Sequence, residues 1–230
     1  MKIPRCLFIA SLLALVTAAN GEGSADFYAG GSVNRFSLLR DTASAAGFQL
    51  GVRTWALSWL GVDVGYADLG RVGSSFPVNP VYPPGYALPQ YVIATTGTNT
   101  LSVSASAIYV LPVVRIPLGD HVHGWLEVGP ERFESRIGSN LYAAGFPATG
   151  APVGLGASGL EGNFAQTRAC LAAMAKAGLS ISIDSRWAVE AELHATGAPA
   201  ITNPQIYSVP DIGNRRLSIW GAGLSADYRY

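Results

Sequence analysis

Charge is scarce in this sequence. Of 230 residues, 15 are basic and 15 acidic, so charged residues make up 13%, about half the share usual in soluble domains. The net charge is zero and no basic cluster exceeds the pair Arg215–Arg216, which excludes the electrostatic footprint of a nucleic-acid-binding surface. Cysteine is nearly absent. Cys6 falls in a segment expected to be removed, leaving Cys170 alone, so neither an intrachain disulfide nor a thiolate metal site can form. Beyond the first twenty residues no apolar run approaches the length of a spanning helix. Catalytic signatures are missing too. There is no Gly-x-Ser-x-Gly elbow. His194 and Glu192 share one strand face about 7 Å apart. His121-Val122-His123 lacks an evident third ligand, and Gly154–Gly159 lacks the lysine and strand–helix setting of a phosphate cradle. No enzyme, metal or cofactor is expected.

What is present is glycine, 27 residues, with ten Tyr, eight Phe and five Trp. Residues 1–25 read as a targeting signal. Lys2 and Arg5 form a basic start, and Leu7 to Val16 form an apolar core too short for a membrane anchor. Cleavage fits after Ala19 or, preferably, after Ala25. Removal takes two of the 15 basic residues and one of the 15 acidic, leaving 13 and 14 in a barrel domain over 26–230.

The chain is organised around Arg215–Tyr230. Trp220, Ala222, Leu224, Ala226, Tyr228 and Tyr230 alternate with Ile219, Gly221, Gly223, Ser225, Asp227 and Arg229. A period of two makes this a strand with one apolar and one small or polar face, and it ends on an aromatic ring. The same period marks strands over 27–34, 46–56, 59–69, 100–111, 121–133, 168–183 and 186–196, eight in all. Short turns are expected at 57–58, 117–120 and 184–185, and irregular segments at 35–44, 70–99, 136–164 and 197–214. An even strand count with alternating short and long connections predicts an all-β, eight-stranded antiparallel transmembrane barrel, with short periplasmic turns and long external loops. Two stretches strain the pattern. Pro130 suggests a bulge or strand end, and the Ala-rich start of 168–183 admits a helical turn, although its alternation favours strand. On 100–111 the set Leu101, Val103, Ala105, Ala107, Tyr109 and Leu111 is assigned outward, with Ser102, Ser104 and Ser106 inward. A soluble periplasmic barrel turning the apolar sets inward is the rival; low charge and the terminal aromatic argue against it.

The alternation points an unusual set inward. Arg53, Lys176 and Arg229 are positive; Asp63, Glu127, Glu190, Glu192 and Asp227 are negative; His123 and His194 join them. Side chains fill so narrow a barrel, and charges there must pair or be hydrated. The expectation is a charged, largely plugged lumen, with Asp227 crowded by Glu190 or Glu192 and relieved by Lys176 or Arg229. A narrow gated pore is the alternative.

Four motifs, in order, resemble the small outer-membrane barrels of Gram-negative bacteria, the class of OmpA-type and porin-like proteins. They are Phe27–Gly31, Gly61–Gly70, Pro117–Asp120 and Gly223–Tyr230. The resemblance spans essentially all of 26–230. It implies an outer-membrane location, contact with membrane lipids and lipopolysaccharide, and a closing strand whose Leu224, Tyr228 and Tyr230 are read by the barrel-assembly machinery. It further implies interfacial aromatics such as Trp187 and Trp220, and a monomer serving envelope integrity. An adhesin-like role through the long loops is a further alternative. No peptidoglycan-binding domain is expected after the barrel.

Overall fold

The computed structural model describes residues 24–38, 41–78, 96–144, 160–201 and 215–230. The strands are β1 (Ala25–Leu38), β2 (Asp41–Trp55), β3 (Leu60–Val78), β4 (Thr96–Pro117), β5 (Val122–Ala144), β6 (Leu160–Ser182), β7 (Trp187–Ile201) and β8 (Arg215–Arg229). Each pairs antiparallel with the next, and β8 closes on β1, with Phe27 opposite Tyr228 and Val33 opposite Ala222. Closure leaves no unpaired edge around the ring, the condition for a sheet that stands in lipid. Ser24 and Ala25 already belong to the wall: Trp55 N donates to Ser24 O at 3.1 Å, and Ala25 pairs with Thr54. Of the expected signal over 1–25, residues 1–23 lie outside the described residues.

Three tight turns, Ala56–Trp59, Leu118–His121 and Ile183–Arg186, stand at the same end as Ser24 and Tyr230. At the other end the strands are longer than their sequence pattern predicts. Residues 35–38 and 41–44 are not a loop but the tops of β1 and β2, paired up to Leu38 and Asp41. Likewise 70–78, 96–99, 136–144, 160–164 and 197–201 are strand; 79–95, 145–159 and 202–214 lie outside the described residues. The β2–β3 ladder stops at Phe48↔Asp68 and the β6–β7 ladder at Ala173↔Gly197, whereas β3–β4–β5–β6 pair onward to Val78↔Gly97, Thr96↔Ala144 and Ala143↔Leu160. These four strands, 19 to 23 residues long against 14 or 15 for the rest, rise as a sheet above the closed ring. Pro77 is tolerated in β3 because β2 makes no ladder with that side of the strand at this height.

Two irregularities shape the wall. Between Asp68 and Gly70 a bulge shifts the register. Gly70 takes φ 89°, a left-handed value that suits glycine, and its N–H donates to Asp68 Oδ1 at 2.9 Å. After it, Val72 instead of an odd-numbered residue faces inward. Pro130 neither ends nor bulges β5; it pairs with Ala173 of β6. The β4–β5 ladder skips from Tyr109↔Glu131 to Val113↔Glu127, because Pro112 and Pro130 each remove an N–H there. The Ala-rich segment around Cys170 is strand throughout, with Ala169, Leu171, Ala173 and Ala175 outward and Met174 and Lys176 inward.

The faces of β4 are the reverse of the sequence expectation. Val103, Ala105, Ala107, Tyr109, Leu111 and Val113 are buried inside, and Ser102, Ser104 and Ser106 look outward. The cause is a change of polarity along the barrel. Toward the short-turn end the outer wall is apolar, with Phe27, Phe48, Leu50, Val62, Val114, Leu126, Leu179, Ile181, Val189, Leu193 and Leu224 exposed. Toward the far end, residues of the same outward frame are Arg35, Ser44, Arg71, Ser102, Ser104, Arg132 and Arg136, while Phe36, Leu69, Val72, Val103, Phe133, Ile137, Leu217 and Ile219 form an apolar core inside.

Candidate functional site in the barrel lumen

Beneath that apolar core the lumen is ionic. Arg53 of β2 is its centre. Its Nε donates to Glu127 Oε1 of β5 at 2.8 Å, and its Nη1 donates to Glu190 of β7 at 2.7 and 2.6 Å. The guanidinium lies over the rings of Tyr28 (4.6 Å) and Trp125 (4.2 Å), so its faces meet π-electrons while its edges meet carboxylates. Lys176 of β6 is the second cation. Its Nζ stands 3.5 Å from Asp63, 3.6 Å from Glu127 and 3.5 Å from Glu192, and donates to Tyr109 Oη at 3.3 Å. Tyr28 Oη donates to Asp63 at 2.8–2.9 Å and meets Tyr109 Oη at 2.7 Å. Charges withdrawn from water need such multiple partners to offset desolvation. Glycine makes room for the rings: a Cβ at Gly65 would come within 2.5 Å of Tyr109 Oη, and one at Gly178 within 2.5 Å of the Trp125 ring.

Two further groups flank this lattice. On the far side, the His194 ring lies between Glu192 Oε1 (3.1 Å) and Asn34 Oδ1 (2.7 Å), and Asn34 Nδ2 donates to Ser32 Oγ and Leu69 O, both at 3.0 Å. Thr196 donates to Glu131 nearby. Toward the short turns, Asp26 Oδ2 accepts from Trp55 Nε1 at 2.6 Å and Arg115 Nη2 at 2.8 Å, with the Arg115 guanidinium 3.7 Å above the Trp55 ring. His123 and Arg229 are half-buried and Asp227 is buried.

The sequence-assigned residues thus fall into one connected cluster and a fringe. Arg53, Asp63, Glu127, Lys176, Glu190, Glu192 and His194 are joined directly. Of the two cations expected to relieve Asp227, Lys176 is taken up by Asp63, Glu127 and Glu192, whereas the charge of Arg229 reaches Asp227, together with that of Arg53. Asp227 Oδ1 has no hydrogen-bond partner among the described residues. Unassigned beforehand were Asp26, Tyr28, Asn34, Tyr109, Arg115, Glu131 and Thr196. Arg115 held the missing signal: it shares the odd frame of Tyr109, Leu111 and Val113, and a charge in that frame marks it as the lumen face. On the wall, Leu224 is 64% exposed. Trp187 and Tyr228 meet edge-on at 5.0 Å between ring centroids. Tyr230 N donates to Ala25 O at 2.9 Å, and Trp220 carries the Arg35 guanidinium 5.7 Å over its ring.

A closed ring with charges inside and an apolar belt outside inverts the polarity of a soluble barrel. The chain is an eight-stranded antiparallel transmembrane β-barrel. No family model and no curated protein matches it. Its fold is similar to that of several solved structures. The attachment invasion locus protein Ail of Yersinia pestis, crystallised with the heparin analogue sucrose octasulfate, is 14% identical, with a TM-score of 0.47 over 91% of this chain and 99% of that one. Neisserial surface protein A is 9% identical, with a TM-score of 0.45 over 91% of this chain and 100% of that one. Acinetobacter baumannii CarO is 16% identical, with a TM-score of 0.40 over 87% and 97%. At these identities the likeness is one of fold.

Proposed function

We propose that this barrel is a closed structural element of a bacterial outer membrane, inserted as a monomer by the barrel-assembly machinery through its closing strand and held among lipids and lipopolysaccharide by its apolar belt. The short turns face the periplasm and the far end faces outward. No catalytic role is assigned to it. The observation that carries this reading is the sequence of two seals in one lumen. The ionic lattice around Arg53 and Lys176 crosses the barrel, and the core of Phe36, Leu69, Val103, Phe133, Leu217 and Ile219 fills it above. Unpartnered buried polar atoms, Ser180 Oγ, Ser225 Oγ and Asp227 Oδ1 among them, occur in the ionic half. An ion passing outward then sheds much of its hydration among the apolar side chains of that core, at a cost in free energy.

Single-channel recording on refolded protein in planar bilayers tests this. Wild-type protein is expected to give no discrete conductance. Glu127→Gln, which loosens the ionic seal alone, is expected to give none either. Ohmic channels in the wild type would replace the structural role by that of a narrow porin. A second reading, surface recognition, is favoured by the β3–β6 sheet that rises beyond the closed ring. Protease cleavage of intact cells within 79–95 or 145–159 is its first test; full protection would remove it.

A further inference from the structure

The seam between β1 and β8 is completed by residues that stand before Asp26. Trp55 N donates to Ser24 O at 3.1 Å, and Tyr230 N donates to Ala25 O at 2.9 Å. Ala25 pairs with Thr54 of β2 and is 7% exposed. Asp26, 2% exposed, pairs with Arg53 on one side and with Arg229 across the seam on the other. Ser24 and Ala25 thus supply the last acceptors at the short-turn end, one for β2 and one for the end of the chain. Cleavage after Ala25 would remove both. Trp55 N and Tyr230 N would lose these partners, and Asp26 would carry an ammonium group in place of its amide. The Asp26 carboxylate already accepts from Trp55 Nε1 and Arg115 Nη2. A charge set into the wall costs more than an amide unless it is paired, and closure of the ring is what keeps strand donors from standing open.

The earlier small-x-small step, Thr17-Ala18-Ala19, avoids these losses. It also adjoins the apolar core Leu7–Val16, three residues past its end, whereas Ala25 stands nine past it. We propose that a host signal peptidase cuts this chain between Ala19 and Asn20, and that the retained Ser24 and Ala25 form the latch on which the closing strand ends. The inference rests on the reading that the chain is exported to an outer membrane behind a removable signal, and it names the bond that is cut. The step is a peptide hydrolysis. Water adds across the Ala19–Asn20 bond, the new carboxylate leaves with the signal, and the new amine stays with the barrel. The ammonium group then lies on Asn20, outside the wall ladder that begins at Ala25.

The test is the intact mass and N-terminal sequence of the protein taken from the outer membrane of a Gram-negative host that expresses all 230 residues. The expected start is Asn20-Gly21-Glu22. A start at Asp26, or at any other residue, overturns the site. The same change is then made at each of the two steps. Ala19→Gln should abolish the Asn20 start and let the precursor accumulate. Gly23→Gln, which spoils only the later step, should leave the Asn20 start as in the wild type. The opposite pattern would move the cut to Ala25. Hydrogen exchange of the mature protein tests the latch by itself. The amides of Trp55 and Tyr230 should exchange at least about tenfold slower than unbonded amides. An Asn20 start with an unprotected Tyr230 amide keeps the cut and overturns the latch. A chain absent from the outer membrane defeats the export reading itself, whereas a chain found there with another start defeats only the site.

Discussion

Around Arg53 the lumen is ionic and the wall outside it apolar; around Phe133 the lumen is apolar and the wall outside carries Arg71, Ser104, Arg132 and Arg136. The same strands run through both regions. The frame of each side chain does not change along β4 or β5, so the exchange of polarity lies in the residues alone. A strand residue is apolar where it meets lipid or a dry core, and polar where it meets water or another charge. The two regions show one chain written for two solvents.

The comparison breaks most severely at Arg53. Arg53→Ala leaves Glu127 and Glu190 buried without their donor, and the expected loss is about 3–5 kcal/mol in unfolding from lipid vesicles by urea. Replacing the three together by Met, Leu and Leu makes the ionic half resemble the apolar half, and should recover most of that loss. If the triple variant is as unstable as Arg53→Ala, the lattice is more than a filled space and the equivalence of the two plugs fails.

The outer wall offers a gentler contrast. Leu193, 63% exposed, lies in the belt, and Ser104 lies above it. An arginine on a lipid-facing strand costs about 2–4 kcal/mol at mid-depth and little beyond the interface. Leu193→Arg is expected to lose about 2 kcal/mol, and Ser104→Arg less than about 0.5 kcal/mol. Equal losses at the two positions in the vesicle assay would mean that the contour of polarity is not the edge of the bilayer.

That contour also explains what could be read in advance. Seven of the eight strands show their faces through period two, because on β1, β2, β3 and β5–β8 the large apolar set near the short turns faces lipid. The inward charges Arg53, Asp63, Glu127, Lys176, Glu190 and Glu192 stand out in those frames. β4 defeats the rule. Its outward frame runs from Ser102, Ser104 and Ser106 to Ile108, Val110, Pro112 and Val114, changing from polar to apolar within one strand. A window ending at Leu111 sees mostly the serines, and assigns the apolar partners Val103 to Leu111 to lipid. Tyr109, a direct partner of Lys176, is lost from the lattice by that assignment. The tops of β1, β3 and β5 were hidden for a related reason. Above the bilayer a strand carries Arg, Ser and Gly outward like a loop, and only its inward partners, Phe36, Val72 and Ile137, betray it. The bulge at Asp68–Gly70 adds a change of frame that no fixed period anticipates.

The smallest effect is expected at the opposite end, outside both regions. In the turn between β6 and β7, Asp184 Oδ1 accepts the N–H groups of Arg186 and Trp187, both at 2.7 Å. These bonds to its charged form hold the Asp184 carboxyl below the usual carboxylate range. A depressed folded-state pKa adds stability that is fully present above the unfolded value, about 3.9. It fades as the pH falls through the lower folded value. Urea unfolding of wild type and Asp184→Ala should therefore differ by a constant small amount near neutral pH, and converge as the pH drops below about 4. The turn is fully exposed, so the difference should also be slight beside that of Arg53→Ala. A difference that grows as the pH falls would reverse the sign of the linkage. The turn carboxylate would then be a group the fold tolerates and not one that caps the β6–β7 hairpin.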